Sequence, residues 1–382
     1  MGWIKRWTAA LLAACLTFSG ALAEEAAQET QPEENVLLVE EVAEDEEQLL
    51  VEEVGEDEEQ LLVIEEDDQK AIDALGADME LDDSIDPTQL DMNPNLPDNV
   101  VNFLLVGIDT RDTTLDSGLQ HGDVQMILSI NKDDGSVKLT SLLRDLYVTI
   151  PGYKNKNRIN VAYARGGGQL AMRTVNKNFE LNIESYVTIN FYGLASIIDA
   201  IGGVDVDMTK QEAGAINTYL KKHPPKYDNT DGKERQPLER VAGVQHLDGV
   251  QAVMYARLRS IDNDFARTAR QRHLLELLLG QIMQDMTLDK LIGLIETCVP
   301  YVTTNVNLNT MLELGVTVLG SGIIQRAQQG ESLIEQHRVP MDKTYSYKDV
   351  NGASVVYMGS TNFPKNVQAL HEFIYGAYYP AD

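Results

Sequence analysis

The sequence predicts an α/β fold, because short apolar segments typical of strands are mixed along the chain with longer segments typical of helices. Residues 102–107 form an apolar run closed by glycine, as expected of a buried strand. Residues 124–130 and 137–143 have the same character and are joined by a Lys-Asp-Asp-Gly turn. Residues 193–201 and 273–297 predict helices. Such a mixture favours helices packed in layers on a sheet.

Charge divides the chain into unequal parts. The 382 residues have a formal net charge of −29. Residues 24–99 hold 29 acidic residues and one lysine, whereas the rest of the chain is close to neutral. Dense acid with few aromatic residues predicts a disordered, self-repelling linker. We expect one globular domain over 100–382, with a strand at 353–358 and a helix at 366–375 near its end. No broad basic face is predicted, which argues against nucleic acid as a partner.

Residues 1–23 have the pattern of an export signal. Lys5 and Arg6 precede an apolar run that ends in Ala-Leu-Ala at residues 21–23. The run is short compared with the roughly 20 apolar residues of a membrane span. A cleaved signal peptide, a retained membrane anchor and a lipoprotein cleaved before Cys15 all remain open. Each of these places the globular domain outside the cytoplasm.

The predicted linker contains a tandem repeat with a period of 12 residues. Residues 37–48 recur almost unchanged as 49–60, and a degraded third copy begins at Leu61. This period is shorter than that of ordinary solenoid units. A stalk that holds the domain away from the membrane or wall and a slipped repeat of little consequence are equally good interpretations. The proline-containing segment 91–98 is expected to end the linker.

Five arginines lie within the 16 residues that begin at Arg257. Like charges held so close repel one another unless an anion lies between them. The planar guanidinium group matches the geometry of phosphate and stays charged at ordinary pH, so we predict a phosphate-binding segment. We expect Arg257 and Arg259 to lie on a strand, where residues two positions apart point to the same face of the sheet. Arg267, Arg270 and Gln271 are expected in the first turns of the helix that follows, where anions are favoured.

Two aspartates are predicted at the ends of neighbouring strands. Asp109 follows the first predicted strand and Asp123 precedes the second. Sites in α/β sheets commonly lie at strand ends, and carboxylates beside a substrate phosphate suit Mg²⁺. Each aspartate alone is equally explained by a polar turn, and the Arg144-Asp145 pair by a structural ion pair. Together with Arg111, these residues predict a clamp of metal and arginine for a pyrophosphate.

The order and spacing of several motifs resemble those of the LytR-CpsA-Psr family of Gram-positive bacteria. The motifs are FLLVGIDTR at 103–111, Asp123, SLLRDLYV at 141–148, IPG at 150–152, RINVAY at 158–163, DAIGGVD at 199–205 and LDGVQA at 247–252. The resemblance covers residues 100–382. It implies a three-layer α/β/α fold with a central mixed β-sheet and a long apolar pocket for a polyprenyl chain. The leucine-rich segments 273–280 and 288–299 suit such a pocket, and they suit an ordinary core as well.

The same resemblance implies a phosphotransferase that uses Mg²⁺, with Mn²⁺ as the alternative ion. Its substrates would be a glycopolymer (teichoic acid, capsule or a related wall glycan) on a polyprenyl-pyrophosphate carrier, and peptidoglycan as acceptor. It would work at the membrane surface, on the extracellular face of the cytoplasmic membrane or in the cell wall. By the motifs, the metal ligands are Asp109 and Asp123, and the catalytic residues are Arg144, Asp145, Asp109 and Arg267. The residues implied to bind the pyrophosphate are Arg111, His121, Arg144, Arg257, Arg259, Arg267, Arg270 and Gln271.

Two positions depart from the family's pattern. His121 stands where the family usually has arginine, and Leu143 stands where it usually has proline. Histidine is only partly charged near neutral pH, so the affinity for phosphate and its pH response are expected to differ. Two alternative functions follow. One is non-catalytic binding of the carrier lipid or the wall, and the other is a pyrophosphatase that attacks the same lipids with water.

Overall fold

The computed structural model of the protein describes residues 82–108, 121–222, 235–258, 261, 264–283, 288–329 and 331–381. The predicted export signal and acidic repeat, together with Asp109, Arg111 and Arg259, lie outside these residues. Within the described part of the chain, no helix combines the length and the apolar character needed to span a bilayer.

Strands and helices are mixed along the described chain. The strands are β1 Val100–Ile108, β2 Gly122–Asn131, β3 Val137–Leu142, β4 Tyr147–Val148, β5 Asn157–Arg158, β6 Ser185–Asn190, β7 Val204–Met208, β8 Gly243–Leu247, β9 Val302–Thr304, β10 Glu335–Val339, β11 Ser346–Val350 and β12 Ala353–Tyr357. The helices are α1 Val161–Phe179, α2 Phe191–Ala200, α3 Lys210–Lys222, α4 Gly249–Arg257, α5 Asp264–Met283, α6 Leu288–Cys298, α7 Leu308–Gly320, α8 Ile323–Gln328 and α9 Gly359–Tyr375.

The main sheet of the described residues has six strands in the order β10-β3-β2-β1-β6-β9. β1 runs parallel to β6, and β3 runs parallel to β10. The other neighbours pair antiparallel, so the sheet is mixed, as the resemblance implies. The three strands predicted at the start of the domain are confirmed as β1, β2 and β3.

Both faces of the main sheet are covered by helices. Alternate strand residues such as Leu105 and Met126 pack with the apolar sides of α2, α4, α5 and α7. Their neighbours on the opposite face, such as Leu104 and Ile127, pack with α1 and α9. This alternation is the two-residue period of a strand, and it gives β1, β2, β3 and β6 two buried faces. The result is the three-layer α/β/α fold.

The helix predicted over 273–297 is described in two parts, α5, which continues to Met283, and α6, which begins at Leu288. Residues 284–287 between them lie outside the described residues. Leu274, Leu275, Leu278 and Leu279 are fully buried in the core beside the main sheet. The structure therefore uses this part of α5 as core.

The folded part of the chain begins before residue 100, where the acidic linker was predicted to end. Leu90 and Leu96 are buried in the same core as β1. The backbone N–H of Asn93 donates to the carbonyl oxygen of Leu181 at 2.9 Å. The side-chain amide of Asn93 donates to the carbonyls of Glu180 and Tyr379 at 3.0 and 2.8 Å. The acidic composition continues to residue 98, but these apolar and amide anchors fix its last part onto the domain.

Candidate functional site

Several strand ends meet at one edge of the main sheet, which we call the carboxyl edge. It contains the carboxyl ends of β1, β3, β6 and β10 and the amino end of β2, because β2 runs against its two neighbours. Asp123 is the second residue of β2, and Arg144 follows β3 by two residues. Asp109 directly follows the last residue of β1 in the sequence but lies outside the described residues. The fold thus gathers segments from distant parts of the chain at one edge.

Four charged side chains at the carboxyl edge form a continuous series, which we call the acid–arginine chain. Nη1 of Arg144 lies 3.0 Å from Oδ1 of Asp123, and Nε of Arg144 lies 3.3 Å from Oδ2 of Asp145. The other oxygen of Asp145 lies 3.4 Å from Nη1 of Arg158. The side chains of Arg144 and both aspartates are each 21% exposed, so solvent and salt screen these pairs less than pairs on the open surface. Each charge fixes the orientation of the next.

The backbone around Arg144 is held by hydrogen bonds from three segments. The carbonyl of Arg144 accepts from the N–H of Asn160 at 3.2 Å, and the carbonyl of Asn160 accepts from Gly122 at 3.3 Å. The N–H of Leu143 donates to the carbonyl of Val339 at 3.0 Å. Proline has no N–H and could not make this bond. Leucine at this departure from the family's pattern therefore adds a link between β10 and the segment that carries Arg144.

Arg257 is the last residue of a helix, so the prediction of a strand at this point is wrong. α4 begins with a capping box, in which Asp248 and Gln251 satisfy each other's backbone N–H groups. A spacing of two residues between arginines is therefore not enough to predict a strand. The guanidinium carbon of Arg257 lies 4.3 Å from the centroid of Phe191, which directly follows β6. This cation–π contact fixes Arg257 near the carboxyl end of β6.

The prediction that the next arginines begin a helix is confirmed by α5. Arg267, Arg270 and Gln271 are 4%, 6% and 5% exposed. Nη2 of Arg270 donates to the carbonyl of Leu258 at 2.7 Å, and its Nη1 lies 3.5 Å from Oε1 of Glu212. An acid of α3 thus already balances part of the charge of Arg270. The α5 arginines are not equivalent.

Two further arginines that the motifs do not mark lie beside β3. Nη1 of Arg272 lies 3.4 Å from Oγ of Ser141, and Arg338 is aligned with Ser141 across the β10–β3 pair. Burial, and then the charge of Arg338, lower the pKa of Arg272 to about 10, so it stays protonated at neutral pH. Arg272 belongs to the arginine segment and was accessible to sequence reasoning. Arg338 lies 66 residues further on, and only strand pairing brings it here.

One of the two predicted metal ligands, Asp123, lies within the described residues. Among the described residues, no group of three or more histidine, cysteine, aspartate or glutamate side chains is arranged to hold an ion. Mg²⁺ is commonly bound through one or two carboxylates, with water and substrate oxygens completing its shell. Asp123 fits such a ligand, because its carboxylate is fixed at the carboxyl edge, one residue after Gly122, which pairs with Ile108 at the end of β1. His121 is exposed, two residues before Asp123.

His337 is expected to make the protein sensitive to acid. Its ring stacks on Phe373 with centroids 5.1 Å apart, and its buried Nε2 has no hydrogen-bond partner among the described residues. Burial, and then the charge of Arg338, lower the pKa of His337 to about 4. In the unfolded chain this ring takes up its proton near pH 6.5. The contribution of the neutral ring to the free energy of unfolding is therefore fully present above pH 6.5, and it is lost as the pH falls towards 4.

We expect this loss to reach about 3 kcal/mol, measured as the free energy of urea unfolding at pH 7 and pH 4. In His337→Phe the loss should be smaller by that amount, because phenylalanine keeps the ring contact and takes up no proton. The same acid loss in both proteins would contradict the assignment.

The sequence matches the LytR_cpsA_psr family over residues 66–371, and the chain belongs to this family. The three-layer fold and the mixed sheet that the motifs implied are therefore those of a LytR-CpsA-Psr protein.

The chain is similar to two curated relatives and to one solved structure. Over 200 residues, the chain is 35% identical to polyisoprenyl-teichoic acid–peptidoglycan teichoic acid transferase TagU of Enterococcus faecalis. The match covers 51% of this chain and 57% of that transferase, so it spans less than two thirds of the relative's length. The chain is 29% identical over 280 residues to regulatory protein MsrR of Staphylococcus aureus, covering 72% of this chain and 75% of MsrR. The structure of the family protein YwtF (TagT) with bound octaprenyl pyrophosphate lipid has a TM-score of 0.51 at 18% identity, covering 74% of this chain and 96% of that chain, and shows the shared fold.

Proposed function

We propose that this protein is a phosphotransferase that moves a glycopolymer from a polyprenyl-pyrophosphate carrier to a hydroxyl group of peptidoglycan. The observation that carries the proposal is the acid–arginine chain at the carboxyl edge, where Asp123 and Asp145 hold Arg144. A relative, TagU, is named for transfer from polyisoprenyl-linked teichoic acid to peptidoglycan, and the TagT structure contains octaprenyl pyrophosphate. Arginine is the side chain best suited to such a doubly phosphorylated headgroup.

In this proposal the acceptor hydroxyl forms a bond to the phosphorus that carries the glycan. The bond from that phosphorus to the oxygen of polyprenyl phosphate breaks, and the hydroxyl proton passes to solvent water. Arg144 and Arg267 stabilise the negative charge that develops on the leaving phosphate. Asp145 orients Arg144 and Arg158, since it contacts both. The products are a glycan joined to peptidoglycan through phosphate, and polyprenyl monophosphate.

The other predicted phosphate-binding residues differ in how well they suit the role. Arg257 suits it, because the Phe191 ring holds it near the carboxyl edge. Arg270 suits it less well, because Glu212 already lies close to its guanidinium group. We assign Arg270 mainly to holding α5 against α3 and α4. Arg111, His121, Arg259 and Gln271 keep the pyrophosphate-binding role that the motifs imply.

Asp109 and Asp123 would hold Mg²⁺, or Mn²⁺ in its place. The bound ion supplies charge neutralisation to the phosphate oxygens. Two carboxylates leave coordination positions for those oxygens.

The transferred glycan would reach peptidoglycan only outside the cytoplasm, which agrees with the predicted export signal. The apolar pocket for the polyprenyl chain remains a prediction from the family resemblance.

The test is a transfer reaction with the full chain, a synthetic polyprenyl-pyrophosphate disaccharide, Mg²⁺ and an uncrosslinked peptidoglycan oligomer. We expect a joined product and an equal amount of polyprenyl monophosphate, with the reaction stopped by a chelator and restored by Mg²⁺. Release of glycan phosphate without acceptor would instead indicate a pyrophosphatase. Tight carrier binding by folded protein without any product would indicate a binding protein.

A further inference from the structure

A row of one guanidinium group and three aromatic rings runs from the main sheet to the protein surface. The guanidinium carbon of Arg338 lies 4.7 Å from the centroid of Phe265. The Phe265 ring is centred 5.2 Å from that of Tyr345, and Tyr345 is centred 5.9 Å from Tyr347. Phe265 and Tyr345 are partly buried, whereas Tyr347 is 58% exposed. We call these four residues the aromatic row.

Both ends of the aromatic row are attached to the segment that carries Arg144. Arg338 is aligned with Ser141, three residues before Arg144. At the other end, Tyr347 lies opposite Val356 in the β11–β12 hairpin. The backbone N–H of Val356 donates to the carbonyl of Asp145 at 2.8 Å. The exposed ring is therefore carried by a hairpin that is bonded directly to the acid–arginine chain.

We propose that the aromatic row is the subsite for the acceptor glycan, a pyranose chain of peptidoglycan whose C–H face stacks on Tyr347 and Tyr345. This inference rests on the proposed function. A tyrosine offers a flat apolar face together with a polar hydroxyl, and a sugar ring presents the same combination. Tyr347 is the most exposed of the exposed tyrosines among the described residues, and it is carried by the hairpin that is bonded to Asp145.

The position of the aromatic row favours the acceptor over the donor. Arg257 is fixed at the end of β6, on one side of Arg144 in the sheet order. Arg338 lies on β10, on the other side. The attacking and leaving oxygens lie roughly in line on opposite sides of the phosphorus during phosphoryl transfer. A donor headgroup held towards β6 therefore leaves the β10 side for the attacking sugar hydroxyl.

Replacing Tyr347 with alanine is expected to raise the KM for the peptidoglycan oligomer by about tenfold, the loss of one good aromatic contact. The KM for the carrier and kcat at saturating acceptor should stay unchanged, because the acid–arginine chain is untouched. Tyr347→Trp should restore the acceptor KM, since it keeps an aromatic face. Tyr378→Ala is the matched control. Tyr378 is 40% exposed, and its hydroxyl lies 3.3 Å from Oε2 of Glu180, at the end of α1.

A binding measurement separates this inference from the proposed function. The full-length protein is titrated with the peptidoglycan oligomer in the absence of carrier, followed by calorimetry. Binding that is weakened about tenfold by Tyr347→Ala, but not by Tyr378→Ala, would support the subsite even if no transfer occurs. Absence of oligomer binding, or an unchanged affinity and acceptor KM in Tyr347→Ala, would overturn it. The inference would also be overturned if Tyr347→Ala bound the oligomer normally but no longer bound anionic phospholipid vesicles. Tyr347 would then contact the membrane.

Discussion

Replacing Arg144 with alanine is expected to lower kcat of glycan transfer by about 100- to 1,000-fold. Arg144 is the central member of the acid–arginine chain and contacts Asp123 and Asp145 at 3.0 and 3.3 Å. Its loss removes the cation proposed to stabilise the leaving phosphate, and it also takes one cation away from two partly buried carboxylates, leaving Asp145 paired with Arg158. The rate should be measured at saturating carrier and acceptor. Unfolding curves of the variant would separate loss of chemistry from loss of folding.

Arg173 offers a matched control for Arg144. It lies on α1, is about one-third exposed, and pairs through Nε with Oδ2 of Asp91 at 3.1 Å. Arg173→Ala should change kcat less than about twofold, because exposed pairs contribute little. Arg144→Lys should remain well below wild type, since an ammonium group cannot bind two carboxylates and a phosphate in a planar array. A folded Arg144→Ala protein with more than half the wild-type kcat would contradict the role.

Adding a single methyl group at Gly249 is expected to reduce the free energy of unfolding by about 3 kcal/mol or more. A Cβ atom at this position would lie 2.0 Å from the carbonyl oxygen of Ala195 and 2.6 Å from its carbonyl carbon. The obstacle is backbone, so it cannot move aside as a flexible side chain would. α4 would have to move away from α2, and with it Arg257 from Phe191. Urea unfolding of Gly249→Ala measures the loss.

Gly280 provides the contrasting substitution. It lies inside α5, and among the described residues a Cβ atom there would meet no atom of another segment within 4 Å. Gly280→Ala should therefore leave stability unchanged or raise it by up to about 1 kcal/mol, because alanine loses less backbone entropy in a helix. If Gly249→Ala were as stable as the wild type, the close packing of α4 on α2 would be wrong.

The strands of the main sheet were the most predictable part of the fold. β1, β2 and β3 are short and mostly apolar, because most of their residues are buried on both faces of the sheet. The helical part was less predictable. Arg257 ends helix α4, although the spacing of the arginines predicted a strand at this point. The acidic composition predicts a linker at residues 82–99, but the buried side chains of Leu90 and Leu96 hold this segment on the domain.

The site was predictable where its residues belong to local motifs. Arg144 and Asp145 follow β3, Asp123 lies at the start of β2, the strand before it, and the structure brings all three together. Arg338 and Tyr347 carry no local signal, since their place depends on the pairing of β10 with β3 and of the hairpin with Asp145. Such long-range register is a property of the folded chain. The metal ligands and the phosphate-binding roles remain predictions, with Asp109, Arg111 and Arg259 outside the described residues.

The bond that breaks in the carrier is the most direct test of the proposed function. A single-turnover reaction of the full chain would use a carrier labelled with ³²P only at the phosphorus that bears the glycan, together with Mg²⁺ and the peptidoglycan oligomer. We expect the label to appear in the joined peptidoglycan product, with unlabelled polyprenyl monophosphate released in equal amount. Label that stays with the lipid, or appears as soluble glycan phosphate while peptidoglycan remains unlabelled, would contradict the account.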